Sequence, residues 1–294
     1  MLTASVITMA FTPMTYRFSM EESGYEDIPV NDSLDIAKGA KLAQNTCVHC
    51  HRGDDGRLSG RLYNKTEPQF GKIYASNITQ SRTQGIGNWT REELELLLRT
   101  GVKPNGKTAL PFMPRFPLMS SEDMEYLIDF LQSDNFLVQP SENALPQTEL
   151  SLIGTLGKWL FPKKLLMPEM PVPSPDTTSE YEYGKYLVDA VLHCFACHSG
   201  SLPRINFQNP EMTPNYLLGG SKFKNLDGQK IEAPSIVTKQ NTGINDYTLD
   251  DFKTLLQYGQ KPDGTYVQYP MMPYPSLTEK EIAVIYIYLN TYKP

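Results

Sequence analysis

Cysteine and histidine are scarce in this chain of 294 residues, which contains only four of each. All four cysteines fall within two short segments, so none is left to build a disulfide framework or a cysteine metal site elsewhere. Basic residues are also in deficit, because 27 Lys and Arg stand against 33 Asp and Glu, for a formal net charge of -6. This balance argues against nucleic acid as a partner, since nucleic-acid binding depends on Lys and Arg contacts to phosphate.

The alternating pattern of apolar and polar residues that is typical of strands is nearly absent, and helical periodicity takes its place. The sequence therefore predicts an all-α fold. The chain is long enough for two domains of ordinary size. Its apolar segment Leu150–Leu166 is too short and too interrupted to span a bilayer.

The cysteines lie in two pentapeptides of the form Cys-x-x-Cys-His, Cys47–His51 and Cys194–His198. In this motif the two thiols sit one helical turn apart, where both reach the vinyl groups of one porphyrin edge, and the adjoining histidine becomes the proximal iron ligand. A thioredoxin-type redox pair or half of a zinc site would have to occur twice, each time followed directly by histidine. We therefore predict two covalently attached haem c groups. The predicted attachment residues are Cys47, Cys50, Cys194 and Cys197, and the predicted proximal ligands are His51 and His198.

An internal repeat surrounds the two motifs. Ala75–Gly106 aligns with Ala233–Gly264 without a gap and matches it at 11 of 32 positions. Each half continues through a Lys-Pro-x-Gly turn and a Met-Pro segment to a final helical pattern. The loop after the second motif is longer by 11 residues. The predicted organisation is two tandem domains with a linker between them: an N-terminal arm (1–30), a first domain (31–133), a Pro-rich linker (134–179) and a second domain (180–294).

Helix boundaries can be read from capping signals. Thr90–Glu93 and Thr278–Glu281 have the pattern of capping boxes, in which a hydroxyl and a carboxylate satisfy the free amides at a helix start. Further helices are expected before each haem motif, from about Leu34 and from about Tyr181. Apolar stripes that end at a glycine mark the middle helix of each half: Leu94, Leu97 and Leu98 before Gly101, and Phe252, Leu255 and Leu256 before Gly259.

Three segments, Tyr74–Thr79, Gly85–Thr90 and Met113–Pro114, resemble the haem domains of class I cytochrome c, as found in cytochrome subunits of membrane-bound bacterial alcohol and sugar-acid dehydrogenases. The resemblance covers both halves of the chain but neither the termini nor the linker. Those subunits commonly carry three haem motifs, whereas this chain has two. The resemblance implies covalent haem, a methionine distal ligand and electron relay.

The histidine inventory also bears on the distal ligands. Besides the proximal pair, the chain has only His49 and His193, which lie in or beside the motifs and cannot easily reach the opposite haem face. Methionine is therefore the expected distal ligand, and Met113 is predicted for the first haem. In the second half Met271 and Met272 compete, because gapless numbering favours Met271 and the Met-Pro dipeptide favours Met272. The sequence-based preference is Met272.

His/Met ligation predicts an electron carrier, because two strong axial ligands leave no open position for a substrate. The alternative is a dihaem peroxidase, which would need one five-coordinate haem with an acid/base residue above it. The repeat argues against this alternative, since both halves supply a methionine at corresponding places. Further predictions concern the haem propionates. Trp89 and Tyr247 are predicted to hydrogen-bond a propionate, and Arg115 is predicted to pair with one.

The expected partners are redox proteins: a dehydrogenase or quinol-oxidising complex as donor and a terminal acceptor. The apolar linker segment Leu150–Leu166 contains Lys163 and Lys164 near its end. It is predicted either to pack across the two domains or to contact a membrane surface or partner subunit. The resemblance implies a periplasmic or otherwise extracytoplasmic location, because bacteria attach haem c outside the cytoplasm. Met1–Tyr16 nevertheless contains Pro13 and no basic region, so it lacks a convincing secretion signal. The segment is expected to be either the remnant of a cropped anchor or signal or an arm that docks on another subunit.

Overall fold

The computed structural model describes residues 34–65, 67–160, 164–200, 204–238 and 244–293. The predicted N-terminal arm (1–30) and Lys163 of the linker lie outside the described residues. The described part is mainly helical, which confirms the predicted fold class. Its helices are α1 (Leu34–Thr46), α2 (Val48–His51), α3 (Arg91–Thr100), α4 (Ser121–Leu131), α5 (Leu152–Leu160), α6 (Glu180–Tyr186), α7 (Cys194–Cys197), α8 (Leu249–Tyr258) and α9 (Glu279–Thr291).

The loops between the helices contain short antiparallel strand pairs and single helical turns. Antiparallel pairing joins β1 to β3, β2 to β4 and β5 to β6. A π-helical turn, Leu187–Val191, continues α6, and 3-10 turns cover Pro68–Phe70, Phe136–Val138 and Pro210–Met212. The strands are β1 (Arg61–Leu62), β2 (Gly71–Lys72), β3 (Tyr74–Ala75), β4 (Glu149–Leu150), β5 (Lys222–Lys224) and β6 (Lys230–Glu232). None of these strands exceeds three residues, which is why they leave no alternating pattern in the sequence.

Helix starts follow the capping signals. Thr90 begins α3 and Thr278 begins α9, each with a complete capping box, so both predicted boxes are confirmed. A third box, Thr248 with Asp251, begins α8 and was not predicted. Gly101 and Gly259 end α3 and α8 in the left-handed conformation, with φ of 83° and 72°, which glycine adopts without steric cost.

Each half is built on a close crossing of its first and last helix. A Cβ atom on Gly39 of α1 would lie 1.9 Å from the carbonyl oxygen of Tyr126 in α4. A Cβ atom on Gly184 of α6 would lie 2.1 Å from the carbonyl oxygen of Val284 in α9. The two helix backbones therefore touch in each half, and any larger residue would push them apart.

Two buried apolar clusters flank the linker. The first cluster contains residues of α1, α3 and α4, and the second contains residues of the π-helical turn, α8 and α9. Leu137 and Val138 of the sequence-defined linker belong to the first cluster. Leu42 of α1 packs against both clusters, so the two halves are in direct contact.

The linker contacts both halves along its length. The amide of Leu165 donates to the carbonyl oxygen of Thr100 at 3.0 Å, and the side chain of Gln208 donates to the carbonyl oxygen of Leu166 at 3.4 Å. These contacts agree with the predicted packing across the domains. Leu152 and Leu156 of α5 are nevertheless 91% and 63% exposed, so contact with a membrane or partner stays a prediction. Across the described ranges, no helix is long and apolar enough to cross a membrane.

Candidate haem sites

The first Cys-x-x-Cys-His motif forms a single helical turn. Cys47 precedes α2 and accepts a hydrogen bond from the amide of His51 at 2.9 Å. One turn therefore separates Cys47 from Cys50 and brings both thiols to the same side of the segment. Cys47 is buried and Cys50 is half-buried. This arrangement is the one that attachment at a single porphyrin edge requires.

The second motif repeats this geometry. The amide of His198 donates to the carbonyl oxygen of Cys194 at 2.9 Å, closing the turn of α7. His193, directly before the motif, has a φ of 52°, a backbone conformation that is uncommon for residues other than glycine. This residue interrupts the helical backbone between the π-helical turn and α7.

The two predicted proximal histidines are oriented in the same way. His51 Nδ1 lies 2.7 Å from the carbonyl oxygen of Ser76, and His198 Nδ1 lies 2.9 Å from the carbonyl oxygen of Pro234. A carbonyl oxygen only accepts hydrogen bonds, so Nδ1 of each ring must donate. Each Nε2 is then left without a proton, which is the form that binds a metal. Burial lowers the pKa of both rings and so favours this neutral state.

The thiols do not have the electrostatics of a redox-active pair. Burial raises the pKa of Cys47 to about 11, and burial likewise raises the pKa of Cys194 to about 12. Cysteines that exchange disulfides instead have a lowered pKa, because the thiolate is the nucleophile. The apolar surroundings of these thiols are those expected of groups that contact a hydrophobic prosthetic group.

The loops that carry the candidate distal methionines follow one hydrogen-bond register in both halves, at a constant offset of 158 residues. Ala109 donates to Gly101 and Val267 donates to Gly259, each at 2.7 Å. The equivalence continues beyond the methionines, where the amide-to-carbonyl pairs are Phe116 with Leu98 at 2.8 Å and Tyr274 with Leu256 at 2.6 Å. At this offset the counterpart of Met113 is Met271. Met113 and Met271 also each pack against the core of their own half.

Arg115 holds the first methionine loop together. Its guanidinium donates to the carbonyl oxygens of Met113 at 2.7 Å and Ala109 at 2.9 Å. The side chain is buried, and desolvation lowers its pKa to about 10. The structure thus gives Arg115 a role in the loop that sequence reasoning missed, and its predicted pairing with a haem propionate stays a prediction.

Trp89 and Tyr247 occupy the equivalent positions that the repeat predicts. Each directly precedes the threonine that caps α3 or α8, and each packs, partly buried, against its own core. The carbonyl oxygen of Tyr247 accepts a hydrogen bond from the hydroxyl of Tyr286 at 2.7 Å. Their predicted hydrogen bonds to propionates remain predictions.

Sequence reasoning missed the residues that orient the proximal histidines. Ser76 and Pro234 are not identical, but they occupy equivalent positions of the gapless repeat, and both act through a main-chain carbonyl. Their positions could have been found by asking which carbonyl follows each motif at a fixed place in the repeat. Side-chain identity carries no signal for a main-chain acceptor.

The residues present fit a covalently bound haem in each half. Each motif offers two neighbouring thiols in apolar surroundings and a histidine whose Nε2 is free of its proton. Each methionine loop follows the helix that begins at Thr90 or Thr248. These features define a helical domain built to hold haem c.

Comparison with known proteins identifies the first of these domains. Residues 36–134 match the family model of cytochrome c. This segment of the chain is therefore a cytochrome c domain. The assignment confirms the resemblance drawn from the sequence of the first half.

Curated relatives extend the similarity over most of the chain. The chain is 32% identical over 242 residues to the alcohol dehydrogenase (quinone) cytochrome c subunit of Komagataeibacter europaeus, covering 79% of this chain and 49% of that one. It is 30% identical over 237 residues to the fructose dehydrogenase cytochrome subunit of Gluconobacter japonicus, covering 76% and 45%. It is 30% identical over 246 residues to the gluconate 2-dehydrogenase cytochrome c subunit of Pantoea cypripedii, covering 80% and 53%. The chain thus spans about half the length of the curated relatives that it matches.

Proposed function

We propose that this chain is a dihaem c-type cytochrome that relays single electrons between redox partners. The observation that carries the proposal is the paired proximal geometry. Each Cys-x-x-Cys-His turn is followed by a carbonyl oxygen, from Ser76 or Pro234, that fixes the histidine with Nε2 available to iron. A haem at each place supplies a reversible one-electron change, and the protein's residues attach, orient and shield it.

The proposed iron ligands are His51 with Met113 in the first half and His198 with a methionine in the second. The shared hydrogen-bond register and the core contact support Met271 for the second haem. The Met-Pro dipeptide supports Met272, the sequence-based preference. We propose Met271, because the register is kept on both sides of the loop, and a paired substitution described in the Discussion tests the choice.

The proposed partners are a donor of the dehydrogenase or quinol-oxidising type and a terminal acceptor. Support comes from the relatives, which are cytochrome subunits of alcohol, fructose and gluconate dehydrogenases. The net charge of -6 suits docking on a basic surface, where charge speeds and orients encounter. By the same analogy, the chain works as a subunit of a larger complex in the periplasm, at a membrane surface, and is an electron carrier rather than an enzyme.

The proposal is tested first by counting haem. The mature protein is denatured and extracted with acidic acetone, and the haem that stays with the polypeptide is quantified as pyridine haemochrome. We expect two haems per chain. Retention of one haem would show that one of the two motifs is not an attachment site.

A second measurement separates the relay from a peroxidase. Carbon monoxide added to the reduced protein should leave the spectrum largely unchanged, because both axial positions are filled. Hydrogen peroxide should not be turned over. Rapid peroxide consumption with a reduced cytochrome donor would contradict the relay and favour the enzyme.

A further inference from the structure

The second half has a π-helical turn where α1 of the first half is a regular helix. Gly39 and Gly184 make equivalent helix crossings, yet eight positions separate Gly39 from Cys47 and ten separate Gly184 from Cys194. The longer segment contains the π-helical turn Leu187–Val191. Such turns occur frequently at functional sites. The turn is therefore a local feature that sets the second half apart from the first.

Asp189 of this turn is the centre of a buried hydrogen-bond network and is itself only 4% exposed. Its Oδ1 accepts a hydrogen bond from the Tyr216 hydroxyl at 2.5 Å, and that hydroxyl lies 2.7 Å from the hydroxyl of Tyr288. Because Tyr216 gives its one proton to the carboxylate, Tyr288 must donate to Tyr216. The other carboxylate oxygen, Oδ2, pairs with Lys185 Nζ at 2.7 Å. Both oxygens of Asp189 therefore have a partner.

The first half does not reproduce this network at the equivalent positions. Phe130 is the counterpart of Tyr288 at the offset of 158, and both side chains are 0% exposed, so the first half has the ring without the hydroxyl. The end of α1 that leads to the first motif, Leu42–Thr46, contains no acidic residue. A buried carboxylate before the motif is thus particular to the second half.

The network lies against the second haem-attachment motif. The ring of Tyr216 is 6.2 Å from the ring of Phe195, which stands between Cys194 and Cys197 and is 0% exposed. Asp189 itself precedes Cys194 by five residues. A charge on Asp189 is therefore buried beside the segment that carries the second haem, where surrounding water screens it only weakly.

Lys185 connects this buried charge to solvent. Its Nζ also lies 2.6 Å from Glu211, whose side chain is 49% exposed. From α1, the apolar residue Leu42 packs against the same cluster. The titratable groups that face Asp189 are Tyr181 and Lys185 of α6, Glu211 of the 3-10 turn, Tyr216 of the loop after the motif, Tyr288 of α9, Tyr292 directly after α9, and Cys194 of α7.

Burial raises the pKa of Asp189 above its ordinary value, while Lys185 and Tyr216 act in the opposite direction. Cys194 does not titrate once its sulfur is bound in a thioether to haem. Among these groups, Asp189 is therefore the buried acid whose charge can follow a nearby change of charge.

We propose that Asp189, with Tyr216 and Tyr288, is a charge site that lowers the reduction potential of the second haem and takes up a proton when that haem is reduced. The inference rests on the proposed dihaem function. The electron comes from the donor protein of the proposed relay and converts ferric to ferrous iron. The proton comes from solvent on the side of Glu211, and the only bond formed is the O–H bond of the Asp189 carboxyl group.

The physical reason is the mutual effect of two charges in apolar surroundings. The carboxylate favours ferric over ferrous iron, because the ferric form carries one more positive charge. Reduction removes that charge and so strengthens the binding of a proton to Asp189. By linkage, the potential of the second haem should fall as pH rises through the range in which Asp189 titrates.

The test measures the potential of each haem against pH in the fully matured protein, by spectroelectrochemical titration. The component of the second haem is the one that is missing when Cys194 and Cys197 are both replaced by serine. Asp189→Asn removes the charge and keeps an acceptor for Tyr216, and Lys185 retains Glu211 as its partner. Asp250→Asn is the control, because it makes the same change of charge at a side chain that is 92% exposed.

We expect Asp189→Asn to raise the potential of the second haem at neutral and alkaline pH and to leave it unchanged in acid, where Asp189 is already protonated. Part of the pH dependence of that haem should disappear, while the first haem should keep its potential at every pH. Asp250→Asn should change neither haem. Equal potentials in Asp189→Asn and the unmodified protein at all pH values would overturn the proposal, and so would an equal shift in Asp250→Asn.

A second pair of variants keeps the test open if Asp189→Asn does not mature. Tyr216→Phe keeps the ring against Phe195 but removes the hydrogen bond to the carboxylate, which raises the pKa of Asp189. The pH range in which the second potential falls should therefore move upward. Tyr288→Phe copies the residue found at Phe130 and keeps the bond to Asp189, so its shift should be smaller. An unmoved range in Tyr216→Phe would overturn the proposal.

Haem counting distinguishes failure of this inference from failure of the proposed function. Fewer than two haems retained per chain would refute the proposed function. Two haems whose potentials do not respond to Asp189 would refute this inference alone.

Discussion

The two halves share a helical frame but brace their longest loops in different ways. In the first half, the loop after the motif is held by β4, which comes from the linker and pairs with β2. Each loop also contains an antiparallel pair of its own, β1 with β3 in the first half and β5 with β6 in the second. Gly60 donates to the carbonyl oxygen of His51 and Gly219 donates to that of His198, so the extra length of the second loop lies mainly between His198 and Gly219. A repeated domain can therefore keep its site while one loop gains a strand partner from the linker and the other gains residues.

A second difference lies in the segment that joins the middle helix to the last one. Arg99 of α3 donates to the carbonyl oxygen of Met119 at 2.9 Å, and its counterpart Gln257 donates to the carbonyl oxygen of Leu277 at 3.2 Å. Arg99 is fully buried and also pairs with Glu95. Arg99 and Gln257 occupy equivalent positions and donate to equivalent carbonyl oxygens, but only Arg99 is charged. Both halves therefore require the hydrogen bond itself rather than a charge at this position.

The largest expected difference between the halves comes from removing one pair of cysteines at a time. Cys47→Ser with Cys50→Ser should remove covalent haem from the first half only, and Cys194→Ser with Cys197→Ser from the second only. The reason is that each pair serves one porphyrin. Pyridine haemochrome analysis after acid-acetone extraction should find half of the normal haem in each variant. Loss of all haem from either variant would show that the halves do not mature independently.

The second-largest expected effect distinguishes Met271 from Met272 as the ligand of the second haem. Met113→Ala and Met271→Ala should each lower the potential of one haem and open it to carbon monoxide, because the thioether favours ferrous iron. Met272→Ala should cost only packing, about 1–3 kcal/mol of unfolding free energy. Near-infrared absorption of the ferric iron–sulfur bond measures the outcome in oxidised protein. If Met272→Ala removes the second haem's share of that band and Met271→Ala keeps it, Met272 is the ligand. The Met-Pro dipeptide would then be the better guide to the ligand than the shared hydrogen-bond register.

Core truncation tests whether the halves are equally packed. Met119 and Leu277 are counterparts that are 0% and 3% exposed, so Met119→Ala and Leu277→Ala should each destabilise the protein by about 2–5 kcal/mol. Thermal or denaturant unfolding, followed at the haem absorption, measures the loss. Met212→Ala is the control, because that side chain is 69% exposed and its truncation should change stability by less than about 0.5 kcal/mol. A large difference between the two core variants would show unequal packing.

The smallest effect concerns the capping boxes. Thr90→Ala and Thr248→Ala should each cost about 1 kcal/mol of unfolding free energy, because an amide at the helix start loses its acceptor. Denaturant unfolding measures this change. Thr90→Ser and Thr248→Ser keep the hydroxyl and serve as controls.

The stability that the capping box of α8 contributes should also depend on pH. Hydrogen bonds from the Thr248 hydroxyl and amide hold the pKa of Asp251 below its ordinary value. A depressed carboxyl pKa contributes stability that is present above the unfolded-state pKa and is lost as pH falls through the folded-state value. The cost of Thr248→Ala should therefore shrink in acid. A cost that is the same at neutral and at acid pH would contradict this linkage.

Local sequence signals were sufficient for much of the fold and for the core of the site. The Cys-x-x-Cys-His turns, the boxes at Thr90 and Thr278 and the glycine ends of α3 and α8 depend on residues within one or two turns of each other. Such contacts are encoded in short segments, so they can be read without a tertiary structure. The repeat then extended these assignments from one half to the other.

Tertiary structure decided what lies far apart in sequence. The glycine crossings at Gly39 and Gly184, the carbonyl acceptor of His51 and the hydrogen bond between Glu67 and Lys224 join segments whose separation leaves no local pattern. Main-chain acceptors leave no signal in residue identity, because every residue carries the same carbonyl. The sequence by itself determined the two Cys-x-x-Cys-His turns on which the proposed haem sites rest, since their residue types are rare and closely spaced. How the two halves face each other followed only from packing, because that contact depends on surfaces that the folded helices first create.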